Sequence, residues 1–169
     1  AMKTEKGRRA IGAVKITVIA VCLATVIISA TFFAVRSILK AEFPMKYQDK
    51  ISLYAETYGV PEDLLYGVIH TESGYDEKAK SHAGAIGLTQ ITPETFLWLQ
   101  TKTGETLPEE ALYDADTSVK YCAVFYGLLL KEFGGDEKTA IAAYHAGRGQ
   151  VNAWLRDPDI SPDGKTLVN

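Results

Sequence analysis

An all-α protein, one membrane-spanning helix followed by a helical domain, is the fold class this sequence predicts, and three observations carry it. Residues 16–35 run without a single charge, close to the roughly 20 residues that cross a bilayer's hydrocarbon core. Beyond them, apolar residues recur at three- and four-residue spacings in one segment after another, the period of an amphipathic helix. No segment sustains the two-residue alternation of a half-buried strand.

The apolar stretch exceeds the apolar region of a signal peptide and is read as a retained anchor over residues 16–38, with a signal cleaved near Ser29-Ala30-Thr31 as the competing reading. Lys3, Lys6, Arg8, Arg9 and Lys15 precede it, while only Arg36 and Lys40 follow closely. That asymmetry predicts a basic cytoplasmic tail, residues 1–15, and a single pass of the cell membrane that leaves the remainder outside the cytoplasm. Residues 39–46, with Pro44 and mixed charges, read as a linker, and residues 47–169 as the exported domain. Of 18 Lys and Arg and 21 Asp and Glu, seven bases and one acid lie in residues 1–40, which leaves 11 bases against 20 acids beyond. Such a domain lacks the clustered positive surface that phosphate backbones need, so nucleic acid is not an expected partner. Cys22 lies in the anchor and Cys122 in an apolar stripe, so no disulfide can form within the domain, and Cys122 reads as a small core residue. His70, His82 and His145 lack zinc-ligand spacing, and neither a metal nor an organic cofactor is expected.

Within the domain, Ile51, Tyr54, Ala55 and Tyr58 predict a first helix from about Lys46 to Tyr58, ended by Gly59. Pro61 opens the next, with Glu62 and Asp63 at the positive end of its dipole and Gly74 as its stop. Thr92-Pro93 is a hydroxyl cap followed by proline at the first helical position, expected to carry Phe96, Leu97 and Trp98 inward. Pro108-Glu109-Glu110 predicts one brief turn. After Asp114 to Asp116, Val119, Cys122, Ala123, Tyr126, Leu129, Leu130 and Phe133 keep one face apolar up to Gly134-Gly135, the pattern of a central core helix. Asp136 can cap a helix through Ala140, Ile141 and Tyr144, and Gly147 to Gly149 break it before a short piece with Val151, Trp154 and Leu155.

Glu72 is the position where this regularity points to chemistry. Leu65, Val68 and Ile69 form an apolar stripe whose continuation reaches Glu72, so the carboxylate falls on the face meant for burial. Desolvation disfavours the charged form and raises a carboxyl's pKa, the property a general acid needs near neutral pH. Helix ends also carry solvated acids, and a one-residue phase error would turn Glu72 into water, so periodicity alone leaves both readings open. Gly74, Gly84 and Gly87 flank the segment as ordinary turn residues or as sites of close backbone approach to a ligand. Ser81 and Gln90, and the later Ala143-Tyr144-His145-Ala146-Gly147, are equally ambiguous taken singly. Asp76 and Glu77 follow Gly74 in a turn and read as solvated, and Glu94 reads as a first-turn helix acid.

Taken together, Glu72-Ser73, Ala79-Lys80-Ser81, the run from Gly84 through Gly87-Leu88-Thr89-Gln90 to Thr95, and Ala142 to Gly147 resemble, in order and spacing, the lytic transglycosylases with a goose-type lysozyme-like fold. The resemblance covers roughly Tyr47 to Leu155. It implies cleavage of the β-1,4 bond between N-acetylmuramic acid and N-acetylglucosamine in peptidoglycan glycan strands, without a cofactor, leaving 1,6-anhydro ends. Glu72 matches the family's single acid/base. By the same likeness Ser81, Gly87, Gln90, Tyr144 and His145 fall at substrate-binding positions: Ser81 near Glu72 or the sugar, Gln90 at an N-acetyl group, Tyr144 lining the groove. Thr89 stands where the family usually has Met and His145 where it usually has Asn. The first alters how a sugar packs, and the second puts an imidazole where an amide contact is expected near the site. The sequence ends before a helix with a Glu-Thr pair and a Tyr that the family commonly carries, which reads as a shortened chain or a shorter variant. A lysozyme-type muramidase that resolves the same intermediate with water, and a non-catalytic glycan-binding component of a cell-wall or secretion assembly, are the alternatives. The sequence names no such assembly partner.

Overall fold

The computed structural model describes residue 19, residues 21–39 and residues 45–167. The expected tail of residues 1–15 lies outside the described residues, as do parts of the expected anchor and linker. The chain divides into two units, residues 1–45 and 46–169. In the first, helix α1 (Val21–Leu39) has a mean hydropathy of 2.0 and is long and apolar enough to cross a membrane. Its Ile27, Ile28, Phe32 and Phe33 side chains are exposed, the surface that a lipid phase would cover.

The second unit is helical throughout, with isolated bridges Lys80 to Ile86 and Ile86 to Ile91 in place of strands among the described residues. Its helices are α2 (Gln48–Tyr58), α3 (Glu62–Ser73), α4 (Pro93–Thr103), α5 (Ala115–Glu132), α6 (Glu137–Ala146) and α7 (Arg148–Trp154), with a 3-10 turn at Glu109–Tyr113 before α5. The local signals act as the sequence predicts. Gly74 ends α3 in the left-handed region, with its N–H on the His70 carbonyl. The side chains of Thr92, Asp114 and Asp136 accept from the N–H groups of Thr95, Thr117 and Thr139 and so cap α4, α5 and α6.

Helix α5 is the axis of the domain and packs against α2, α3, α4, α6 and the 3-10 turn. Tyr121, Cys122, Ala123 and Tyr126 are fully buried and Val124 and Phe125 nearly so, which is burial on every side rather than on one stripe. Leu65 and Ile69 of α3 are fully enclosed, and each contributes about 1.5–3 kcal/mol of apolar burial that holds α3 in place. One expectation fails, on α4. Leu97 is exposed, because α4 docks through Phe96, Leu99 and Gln100, one step round the helix from the predicted face. Ile141 also faces water, while Ala140 and Ala143 form the contact side of α6.

Candidate active site

The site is built where the C-terminal end of α3 meets a loop and the end of α6. The stripe of Leu65, Val68 and Ile69 goes into the core and carries Glu72 with it, so the Glu72 side chain keeps only 19% of its exposure. Burial raises its carboxyl above the usual range, and the charge of His145 pulls the other way. Next to it, Ser73 donates its hydroxyl to the Leu88 carbonyl at 2.8 Å and to the Ile69 carbonyl at 3.2 Å, tying the helix end to the loop. Ser73 was legible only as a neighbour of Glu72, since its partner comes 15 residues later.

That loop is braced from within. Ser81 accepts at Oγ from the Ala85 N–H at 3.0 Å, and the Gly87 N–H bonds the Ala79 carbonyl at 2.9 Å. The Gln90 amide donates to the carbonyls of Gly87 at 2.9 Å and Ala79 at 3.3 Å, with Gln90 itself at φ 50°. These bonds engage the Ser81 hydroxyl and the Gln90 amide nitrogen, the groups expected to meet a sugar, in the loop's own frame. Gly87 is approached by the protein's own backbone. Gly87 is buried at φ 74°, and an added Cβ would lie 2.0 Å from the Leu112 carbonyl oxygen, so its missing side chain makes room for the 3-10 turn. Thr89 likewise faces inward, its hydroxyl 3.0 Å from Ser118 Oγ on α5, so the substitution for Met changes core contacts.

Tyr144 and His145 complete the site from α6. The Tyr144 hydroxyl donates to the Thr89 carbonyl at 2.5 Å, which fastens α6 to the loop. Its ring stacks on Tyr126, with centroids 4.6 Å apart and planes at 8°, and leans on Phe125. On the other side it lines a hollow of about 270 Å³ with Trp98, Phe125, Glu94 and Arg148. Cys122 lies behind this wall, where burial pushes its thiol up to about 12. His145 comes directly against the acid, with Nδ1 3.0 Å from Glu72 Oε1. The structure thus joins Glu72, His145 and Tyr144 around one helix junction and uses Ser81, Gly87 and Gln90 to shape the adjoining loop. Of the nearby acids, Asp76 is exposed and accepts from the Lys78 N–H in a turn, while Glu77 is half-buried and accepts from the Tyr47 hydroxyl at 2.8 Å.

A sheltered carboxyl with an imidazole partner at a helix end, in an all-helical domain, has the make-up of an acid/base site. The family model "Transglycosylase SLT domain" matches residues 49–165, and the chain belongs to that family. It is 30% identical over 120 residues to the soluble lytic murein transglycosylase of Escherichia coli K12, an alignment of 69% of this chain and 18% of that one. It is 31% identical over 128 residues to the membrane-bound lytic murein transglycosylase C of Haemophilus influenzae strain PittEE, covering 69% and 36% of the two chains. Among solved structures, a 70-kDa soluble lytic transglycosylase in complex with bulgecin A superposes with a TM-score of 0.69 at 27% identity, over 73% of this chain and 20% of that one. An inactive mutant of the Pseudomonas aeruginosa lytic transglycosylase Slt gives 0.67 at 29% identity, over 70% and 20%. The chain therefore spans about a fifth of the soluble relatives' length and about a third of the membrane-bound one's.

Proposed function

We propose that this chain is a membrane-anchored peptidoglycan lytic transglycosylase with Glu72 as its single acid/base. The observation that carries the reading is the Glu72 carboxyl, sheltered and raised above its usual range, at the position the resemblance matches to the family's acid/base. As an acid, Glu72 protonates the glycosidic oxygen between N-acetylmuramic acid and N-acetylglucosamine. The carboxylate so formed takes the proton of the muramic acid's own C6 hydroxyl, whose oxygen closes onto C1. The leaving sugar keeps the first proton and Glu72 recovers the second, so the product carries a 1,6-anhydro end and no water is consumed. A substrate nucleophile places this route among the exceptions to paired-carboxylate glycosidases, in keeping with the exposed turn position of Asp76.

The aromatic wall of Trp98, Phe125 and Tyr144 is suited to the apolar faces of sugar rings. Ser81, Gly87 and Gln90 act on the substrate by fixing the loop beside Glu72, and Tyr144 acts both on the loop and as groove wall. Helix α1 passes the cell membrane once, with the basic tail in the cytoplasm and the domain from about residue 47 outside it, where murein lies.

Digestion of purified peptidoglycan by the full chain, with fragments read by mass spectrometry, tests this. The expected fragments end in anhydro-muramic acid, lighter by one water than hydrolysis products. Glu72→Gln is expected to lower the rate by about 10²–10⁴-fold while sedimentation with intact wall persists. Reducing ends would replace this reading by a muramidase, and wall binding without any fragment release would replace it by a glycan-binding component.

A further inference from the structure

The fold brings the imidazole ring of His145 to the Glu72 carboxyl. Nδ1 lies 3.0 Å from Glu72 Oε1, within ion-pair distance. The two groups differ in access to water: the His145 side chain is 45% exposed and the Glu72 side chain 19%. An imidazole so placed stands between bulk solvent and the sheltered carboxyl. Around the pair, Arg148 and Glu94 line the hollow that Tyr144 borders. Cys122 and Tyr126 on α5 and Tyr144 on α6 all have their ionisation disfavoured, chiefly by burial and then by the Glu72 charge. Asp63 on α3 and Glu137 on α6 line the hollow of about 340 Å³ that His145 also borders. His145 is thus the base nearest to Glu72 among the described hydrogen-bond and ion-pair partners.

We propose that Glu72 and His145 form one acid/base unit that shares a proton, with His145 as the positioning residue that keeps the carboxyl supplied with it. The proposal rests on the reading of Glu72 as the acid. When the pair holds one proton, it exists as carboxyl with neutral imidazole or as carboxylate with imidazolium. The two forms interchange by movement of that proton along the Nδ1 to Oε1 contact. The first form cleaves: the carboxyl proton goes to the glycosidic oxygen, the C1–O bond breaks, and the C6 oxygen bonds C1 as its proton returns to Glu72. His145 ends the cycle as it began.

Coupled sites lose their protons in two macroscopic steps, and between those steps the fraction of pairs in the cleaving form does not change with pH. A lone carboxyl behaves differently, since above its midpoint its protonated fraction falls about tenfold per pH unit. The experiment measures initial rates of fragment release by the full chain from about pH 4 to about pH 9, for the native protein, His145→Asn and His145→Gln. The native profile is expected to fall in two steps with a level stretch between them, and both variants are expected to fall in a single step. Profiles of one shape in all three proteins overturn the proposal.

A second arm needs no substrate and no variant that must fold. The Glu72 carboxyl carbon, followed by ¹³C NMR in the native chain, is expected to titrate in two steps, and a single step overturns the shared proton. If no fragments appear at any pH, the transglycosylase reading fails, and the carboxyl titration still decides whether the pair exists.

Discussion

Gly87→Ala separates a glycine that admits a ligand from one that admits the protein's own backbone. Two effects act at this position. At φ 74° an L side chain sits in the left-handed region, at about 1–2 kcal/mol. The new Cβ would also meet the Leu112 carbonyl oxygen at 2.0 Å and its carbon at 3.0 Å, and both are main chain. The 3-10 turn must therefore shift, which adds about 1–3 kcal/mol of overpacking. Together the loss is about 2–5 kcal/mol, a large part of the roughly 5–15 kcal/mol that holds a domain together. Gly84→Ala supplies the control, since Gly84 has φ 83° but nothing within 4 Å of an added Cβ, so only the first effect applies. Urea unfolding of the full chain in mild detergent reads both variants through tryptophan fluorescence, because Trp98 and Trp154 are the chain's two tryptophans and both lie in the domain. With a slope of about 1–3 kcal/mol per molar urea, Gly87→Ala is expected to lower the midpoint by roughly 1 M or more, and further than Gly84→Ala. Equal midpoints for the two variants, with wall binding lost only in Gly87→Ala, would refute the packing argument and return Gly87 to the groove.

Two further outcomes follow from the site. Tyr144→Phe keeps the stack on Tyr126 but removes the bond to the buried Thr89 carbonyl; unfolding is expected to become easier by about 1–3 kcal/mol, and fragment release to fall through loosening of the loop. An unchanged unfolding midpoint would show that the bond contributes nothing. For Glu72, the folded carboxyl is raised above its unfolded value, so its effect on stability favours folding at low pH and is lost as pH rises through the folded value. Glu72→Gln, which cannot ionise, is therefore expected to melt above the native chain near neutral pH and to lose that advantage below about pH 4, where the native carboxyl is protonated in both states. A neutral-pH melting temperature equal to or below that of the native chain would contradict the desolvation argument.

What the sequence made legible is what depends on near neighbours. Gly74, Thr92, Asp114 and Asp136 act on groups within about a turn of themselves, so helix limits follow from residue type. The burial of Glu72 follows from a period that runs only from Leu65 to Glu72, although it took the packing of α3 on α5 to remove the one-residue ambiguity. The phase of α4 was not legible, because Phe96, Leu97, Trp98 and Leu99 are four successive large apolar residues and only the position of α5 decides which of them turn inward. The same limit governs the site. Glycine at position 87 signals a close approach, yet the group approached is the carbonyl of Leu112, and the Thr89 carbonyl is claimed by a tyrosine 55 residues further on.

His145 shows most clearly what this implies for function. In the sequence it is one polar residue of a helix end; set against α3, its imidazole Nδ1 lies 3.0 Å from the Glu72 carboxyl. No local pattern encodes that distance, because it is fixed jointly by the apolar stripe of α3, the stack of Tyr144 on Tyr126 and the bond from Tyr144 to the loop. A change to any of the three would move the imidazole from the carboxyl without touching either. The protonation of Glu72 is therefore a property of the whole helix junction, and variation among relatives at the Tyr126 or Thr89 positions bears on its acid chemistry as much as variation at His145 itself.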